Sequence, residues 1–429
     1  MKERLYKYYT KVVLWLSKSY TIYILITAVV FLFLLIAVFL KKLQLVDVIE
    51  FSALSAVLLE GTLISLSKIL CKHLLNKVED PSKLNHNYDQ IVSTYGSSKN
   101  SMIIGSDSHC IPVVFESWLY DKKIIIYDDP LDRYVLPEIA SRYYEKLFSA
   151  HITSNIYNNI NIRVLDWKAD DDRFIINTGR TTYYESMVTN RAMDYEVEKG
   201  ISIRQLYECG PVIMPLKLSK LSNHLGFNGF VESSDNKFAF VMRQDNVSIG
   251  KRTYGNSIGA SLKSKYALKD YEFELSGLEE GIIAEIKDEL KIKSEQIVDV
   301  VGGKNLLNKI IIIAAYRDLV EGGKPQLLIY CKSNQKEKEI TNNFKSAQKE
   351  TKDRTKNASQ RREKQEIEME TDGNKLIWIS KEDIISGNVK VYSDRMEHNS
   401  KKYPMMPSAS ACLVMLRDYL RANDNTKCK

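Results

Sequence analysis

Three carboxylates share one face of a helix in the segment GLEEGIIAEIKDELKI, 277–292: Glu285, Asp288 and Glu289. Residues three and four apart are neighbours on a helix, and Ile282, Ile286 and Leu290 form the opposite, core-facing stripe. Hard oxygen ligands in this arrangement suit a divalent metal beside a phosphate. The same spacing also describes a solvated acidic helix face. Upstream, between Gly226 and Gly259, short apolar runs alternate with Gly, Asn and Asp turns, the pattern of a curved antiparallel sheet. Asn223, His224 and Asn228 surround Gly226 and Gly229, where backbone can approach a ligand closely. Arg243, Lys251 and Arg252 offer positive charge for a phosphate, Arg through a two-pronged contact, and Lys263 closes the same group of loops. Tyr254, Tyr183 or Phe227 can stack on a base, and each fits core packing equally well. The segment SIGK, 248–251, lacks the full glycine pattern of a nucleotide-binding P-loop and opens no evident helix, so that motif is rejected.

The segment 284–292, AEIKDELKI, resembles the second half of a Nudix box. The box is Gly, five residues, Glu, seven residues, then Arg-Glu-apolar-x-Glu-Glu-x-Gly-apolar. Glu285, Asp288 and Glu289 match its three metal-binding acids, one of them as Asp. Its glycines fall on Asp270 and Lys291, its first Glu on Ser276 and its Arg on Ala284, so the box is degenerate. The resemblance runs from about 183 to 330, and weakly to 420. It implies a nucleotide-recognising fold in which hydrolysis is in doubt. If hydrolysis persists, it implies Mg²⁺ held by Glu285, Asp288 and Glu289, with one of these acids orienting water.

The elements that must position these residues are set by the rest of the chain. Its 429 residues leave room for two or three units, and an apolar content of 44% supports a well-formed core. A net charge of +7 is mild and spread along the sequence, which argues against a DNA or RNA polymer as partner. Cys71, Cys110, Cys209, Cys331, Cys412 and Cys428 stand singly, with no CxxC and no paired spacing, so neither zinc nor a disulfide framework is expected and a reducing cytoplasm is. Asp107, His109 and Cys110 cluster with no second His or Cys nearby, the mark of mixed polar loop residues. Residues 332–372 turn abruptly to Lys, Glu, Asn, Gln and Ser with both signs of charge, a solvated helix or mobile insertion.

At the other end, 20–40 is an apolar run without charge, about long enough to cross a bilayer. It is too long for a cleaved signal and no small-residue cleavage site follows. A second run, 46–70, carries Glu60 near its middle, and Ser52, Ala56 and Glu60 share a face suited to helix assembly or to a polar path. The basic tail and the lysines after the second run place both ends on the cytoplasmic side. The expected organisation is therefore a basic cytoplasmic tail 1–19, two transmembrane helices 20–75, a linker 76–100, an α+β segment 101–180 and a Nudix-like domain 181–429. The expected fold class is α+β: an N-terminal two-helix transmembrane hairpin, then a Nudix-like α/β/α mixed-sheet domain at the bacterial inner membrane.

This architecture resembles the two-helix membrane effectors with a Nudix-like sensor of bacterial anti-phage cyclic-oligonucleotide systems (CBASS). The resemblance implies a cyclic nucleotide second messenger made by a partner nucleotidyltransferase, no cofactor and no catalytic residue. It also implies a homo-oligomer whose helices cluster and disrupt the membrane lipid. The alternative is a membrane-tethered, Mg-dependent Nudix hydrolase of nucleoside diphosphate derivatives. A membrane-anchored interaction module without a ligand is a third reading.

Overall fold

Side chains alternate across the strand at 237–243, and both of its faces are buried: Phe238 and Phe240 enter one core, Ala239 and Val241 another. The computed structural model describes residues 87–424 except 152–153, 155, 199, 245–246, 268–272, 301–306 and 358–372, with positions 12, 28, 29, 32, 36, 39, 69 and 70 nearer the N-terminus. The chain divides into two compact units, Met1–Asn85 with Tyr144–Thr153, and His86–Tyr143 with Ser154–Lys429. In the first unit the scattered described positions are helical, and the short helix Tyr144–Phe148 stacks its two terminal rings, one turn apart, at 5.7 Å.

The second unit is an α+β assembly with mixed sheets. Its strands are β1 Met102–Ile104, β2 Cys110–Trp118, β3 Lys123–Arg133, β4 Ile160–Ala169, β5 Arg173–Thr182, β6 Glu196–Glu198, β7 Ile201–Ser202 and β8 Gly226–Glu232. They continue with β9 Lys237–Arg243, β10 Tyr254–Gly255, β11 Ile258–Ser261, β12 Ile311–Asp318, β13 Lys324–Lys332, β14 Gly373–Ser380, β15 Lys390–Val391, β16 Arg395–His398 and β17 Lys401–Pro404. Three long helices accompany them: α1 Leu275–Leu290, α2 Glu337–Asn357 and α3 Pro407–Asp424. Nine strands form one sheet in the order β1-β2-β12-β13-β8-β9-β10, with β11 added on β8 and β14 on β9. Within it β13 and β8 run parallel. Strands β3, β5 and β4 form a second sheet, in which β3 and β5 are parallel. Thus β1 and β2, from the segment ahead of residue 181, belong to the same sheet as the later strands.

Each face of the large sheet carries a helix. On one, α1 buries Leu278, Ile282, Ile286 and Leu290, the four-residue repeat that makes a stripe. Gly277 and Gly281 let α1 press against the 262–266 segment, where a Cβ would run into the Tyr266 carbonyl or the Leu262 side chain. On the other face α3 buries Cys412, Leu416 and Leu420 against Ile313, Tyr316 and Tyr330. A bulge in β12 at Ile312–Ala314 breaks the alternation, so consecutive Ile313 and Ala314 meet the α3 side while Ile312 and Ala315 meet the α1 side. The start of the charged insertion is ordered as α2. It is anchored through buried Ile340 and Phe344 and a 2.9 Å bond from Trp378 Nε1 to Thr341 Oγ1.

α1 ends on Lys291, whose φ of 59° lies in the left-handed region and whose N–H bonds the Lys287 carbonyl at 3.0 Å. A side chain there costs about 1 kcal/mol that glycine avoids. Lys291→Gly is therefore expected to raise the melting temperature by about 1–2 °C in a circular-dichroism melt; an unchanged or lower value would refute it.

The expected transmembrane hairpin, and the inner-membrane location and membrane disruption built on it, are corrected. Among the described residues no helix is long and apolar enough to cross a membrane. α2 is the longest of those named at 21 residues, but it is dominated by Lys, Glu, Asn and Gln, and the 18-residue α3 is interrupted by Arg417, Asp418 and Arg421. The expected tail 1–19 and hairpin 20–75 fall almost entirely outside the described residues, as do Ser52, Ala56 and Glu60.

Candidate functional site

A cavity of about 240 Å³ opens where α1, the β8–β11 pair, the β12–β13 turn and the N-terminus of α3 converge. Glu285, Asp288 and Glu289 all line it, so the acidic face of α1 is turned inward. Lys263 stands opposite, fixed by an isolated bridge between Asn161 and Lys263, and its ammonium lies 2.8 Å from Glu285 Oε1. Burial alone would lower the Lys263 pKa, but the neighbouring Glu285 carboxylate holds it above its ordinary value. Glu289 Oε1 accepts from the Gly259 N–H at 3.3 Å. Asp288 makes no hydrogen bond or ion pair among the described residues.

The Mg²⁺ that the Nudix resemblance implies does not fit this arrangement. Among the described residues no group of three His, Cys, Asp or Glu side chains is placed to hold a metal ion. Glu285 is already paired with an ammonium, and Glu289 accepts a hydrogen bond from the backbone.

The opposite wall is a buried charge cluster in the turn between β12 and β13. Asp318, Glu321 and Lys324 are each at most 5% exposed, although all three line the cavity. Lys324 Nζ meets Glu321 Oε2 at 2.9 Å and Arg191 Nε stands 3.5 Å from Glu321 Oε1. Burial would raise the Glu321 carboxyl, but Lys324 and Arg191 hold it below its ordinary range. Asp318 is pushed up to about 7, first by burial and then by the Glu321 carboxylate. Arg191 also donates to Tyr183 Oη at 2.7 Å and to Ser248 Oγ, with its guanidinium 5.2 Å from the Tyr183 ring centre. A second buried arginine, Arg204, ties this turn to the body of the unit through the Leu319 and Val320 carbonyls and Asp194.

Of the ligand-binding residues expected from sequence, Phe227, Asn228, Arg243, Tyr254 and Lys263 line the cavity. Arg243, at the end of β9, makes no side-chain hydrogen bond or ion pair among the described residues. Asn228 Nδ2 donates to Tyr316 Oη at 2.6 Å and approaches Ser408 Oγ at 3.3 Å, joining the sheet to the start of α3. Asn223 is structural: its backbone N–H donates to Asn190 Oδ1 at 2.8 Å, its Oδ1 accepts from Asn190 Nδ2 at 3.0 Å, and it is fully buried. His224 is also fully buried, with Nε2 2.8 Å from Ser261 Oγ. Burial and the nearby Lys324 and Arg191 charges hold its imidazole well below its ordinary pKa, hence neutral. Lys251 and Arg252 sit on the turn closed by the Thr253 N–H on the Gly250 carbonyl, and neither lines the cavity.

Sequence reasoning missed Arg191, Ser248, Asp318, Glu321 and Lys324. Their signal was polar residues at the ends of otherwise apolar strands, Arg317-Asp318 after IIIAAY and Lys324-Pro325-Gln326 before LLIYC. Strands buried on both faces read as continuous apolar runs, so charges at their ends ask for partners.

No protein-family model matches this chain, and no curated protein does. Among solved structures it is similar to the crystal structure of DR0079 from Deinococcus radiodurans. Identity is 11%, over 46% of this chain and 82% of that one, with a TM-score of 0.24. A likeness at that score carries nothing about the site.

Proposed function

We propose that this protein binds a cyclic oligonucleotide or a related phosphorylated nucleotide in the cavity and does not hydrolyse it. The observation that carries this reading is one cavity lined by Arg243, Arg191 and Lys324 together with Tyr183, Phe227 and Tyr254. Guanidinium groups recognise phosphate oxygens in pairs, and aromatic faces stack on bases whatever their identity. Among the described residues the Arg243 guanidinium donates no side-chain hydrogen bond, which leaves it open to a phosphate. Bacterial anti-phage defence and a partner nucleotidyltransferase are carried over from the resemblance to CBASS effectors. Clustering of membrane helices is not.

The test is calorimetric titration of the full chain with cyclic di- and trinucleotides. Saturable binding without product is expected, and Arg243→Gln should weaken it by about tenfold or more, the loss of one charge-assisted contact. Absence of saturable binding to every member of the panel would overturn the reading.

A Nudix-type hydrolase of nucleoside diphosphate derivatives is favoured by one observation, the inward-facing Glu285, Asp288 and Glu289. Incubation with nucleotide pyrophosphates and Mg²⁺ separates the two readings. Turnover that disappears in Glu289→Gln would establish the enzyme.

A further inference from the structure

Three carboxylates turned into one cavity would ordinarily collect a divalent cation, because hard cations take oxygen ligands and the like charges need neutralising. Here the ligand set is dismantled from within. Lys263 Nζ sits 2.8 Å from Glu285 Oε1, and the Glu285 side chain is 12% exposed. Lys263 is held on a fixed backbone: it caps the short helical turn Ser264–Tyr266 and bridges to Asn161, while Leu262 on one side bonds both Ile162 and Leu225 through its backbone. The lysine stem is flexible, so the ammonium is placed by its bond to Glu285 while its backbone is held at the junction of the two sheets. Glu289 is engaged by the Gly259 N–H, on the strand just ahead of Lys263.

We infer that Lys263 is a built-in cation, standing in the α1 carboxylate cluster in place of a divalent metal and making the cavity metal-independent. An ammonium brings three donors. One meets Glu285, and a second is available to an anionic ligand that would otherwise require a bridging metal to approach the acids. This arrangement separates affinity from chemistry: a fixed single charge can hold a phosphate oxygen but cannot activate a water as a Lewis acid does. The inference concerns the cation and stands whether or not the cavity's ligand is a nucleotide.

Mn²⁺ alone is the probe, titrated into the full chain near neutral pH and followed by the loss of the free-ion paramagnetic resonance signal. The native protein is expected to show no saturable binding that Glu285→Gln removes. Lys263→Ala should gain a saturable Mn²⁺ site, about tenfold or more tighter than any association the native protein shows, the effect of deleting one positive charge at contact range. Lys263→Arg, which keeps the charge, should behave as native. The gain in Lys263→Ala should vanish in the double variant with Glu285→Gln. Saturable Mn²⁺ binding by the native chain that Glu285→Gln abolishes would overturn the inference, and this arm decides even if Lys263→Ala fails to fold. A folded Lys263→Ala that binds no tighter than native would overturn it as well.

Discussion

Asp128→Ala is expected to destabilise the protein by about 3–5 kcal/mol, the cost of leaving a buried charge without its partner. Asp128 and Arg180 pair through both carboxylate oxygens at 2.6 and 2.7 Å, and their side chains are 2% and 8% exposed. Asp128 also accepts from Thr178 Oγ1 at 2.6 Å and from the Phe273 N–H at 2.7 Å. One side chain thus joins β3, β5 and the segment that leads into α1. Truncation removes both the carboxylate that Arg180 pairs with and the acceptor of the Phe273 N–H, and leaves Arg180 its bond to the Gly179 carbonyl at 3.1 Å. Chemical denaturation read by circular dichroism measures the loss. Asp128→Ala combined with Arg180→Met should recover part of it, because no unpaired charge then remains. A single variant within about 1 kcal/mol of native would show that the pair is solvated in a way its burial does not suggest.

The second large effect is on the pH dependence of stability. Asp318 is pushed up to about 7 by burial and by the Glu321 carboxylate, with Lys324 pulling in the opposite direction. An unfolded Asp titrates near about 3.9. Between these values the folded chain keeps a proton that the unfolded chain has released. The stability from this group is fully present below about pH 4 and is lost as the pH rises through about 7. Asp318→Asn is neutral throughout and keeps an oxygen for the Val320 N–H, which bonds Asp318 Oδ1 at 2.9 Å in the native protein. Its melting temperature should therefore exceed native at about pH 8 by several degrees and vary less from about pH 5 to 8. Thermal melts across that range check it. A variant whose pH profile parallels the native one would place the titration elsewhere. Glu321→Gln should have the opposite character, since it leaves Lys324 and Arg191 facing one another without their shared carboxylate.

Much of the local structure was legible in the chain. Short apolar runs between Gly, Asn and Asp turns marked 226–259 as a sheet, and the recurrence of Ile282, Ile286 and Leu290 marked α1 and its buried stripe. The common face of Glu285, Asp288 and Glu289 follows from helix geometry alone. These readings depend only on neighbours a few residues apart. An apolar run such as 20–40 is different, because its composition says that it avoids water and not what covers it.

What the tertiary structure decided is everything that distant segments do to one another. β8 and β13 lie side by side in parallel, which places the Asp318–Lys324 turn at one end of the cavity and α1 at another. Asp318, Glu321 and Lys324 read in sequence as an ordinary solvated turn; buried beside Arg191, they become a coupled charge cluster. Asn223 and His224 looked like ligand contacts around flexible glycines and proved to be fully buried supports. The clearest case is the acidic face itself. Its residues and their spacing were settled by the sequence, but its neutralisation was not, because Glu285 finds its counter-charge on Lys263, on a different element. Helical periodicity determines which carboxylates stand together, and only the packing of one element on another determines which cation they meet.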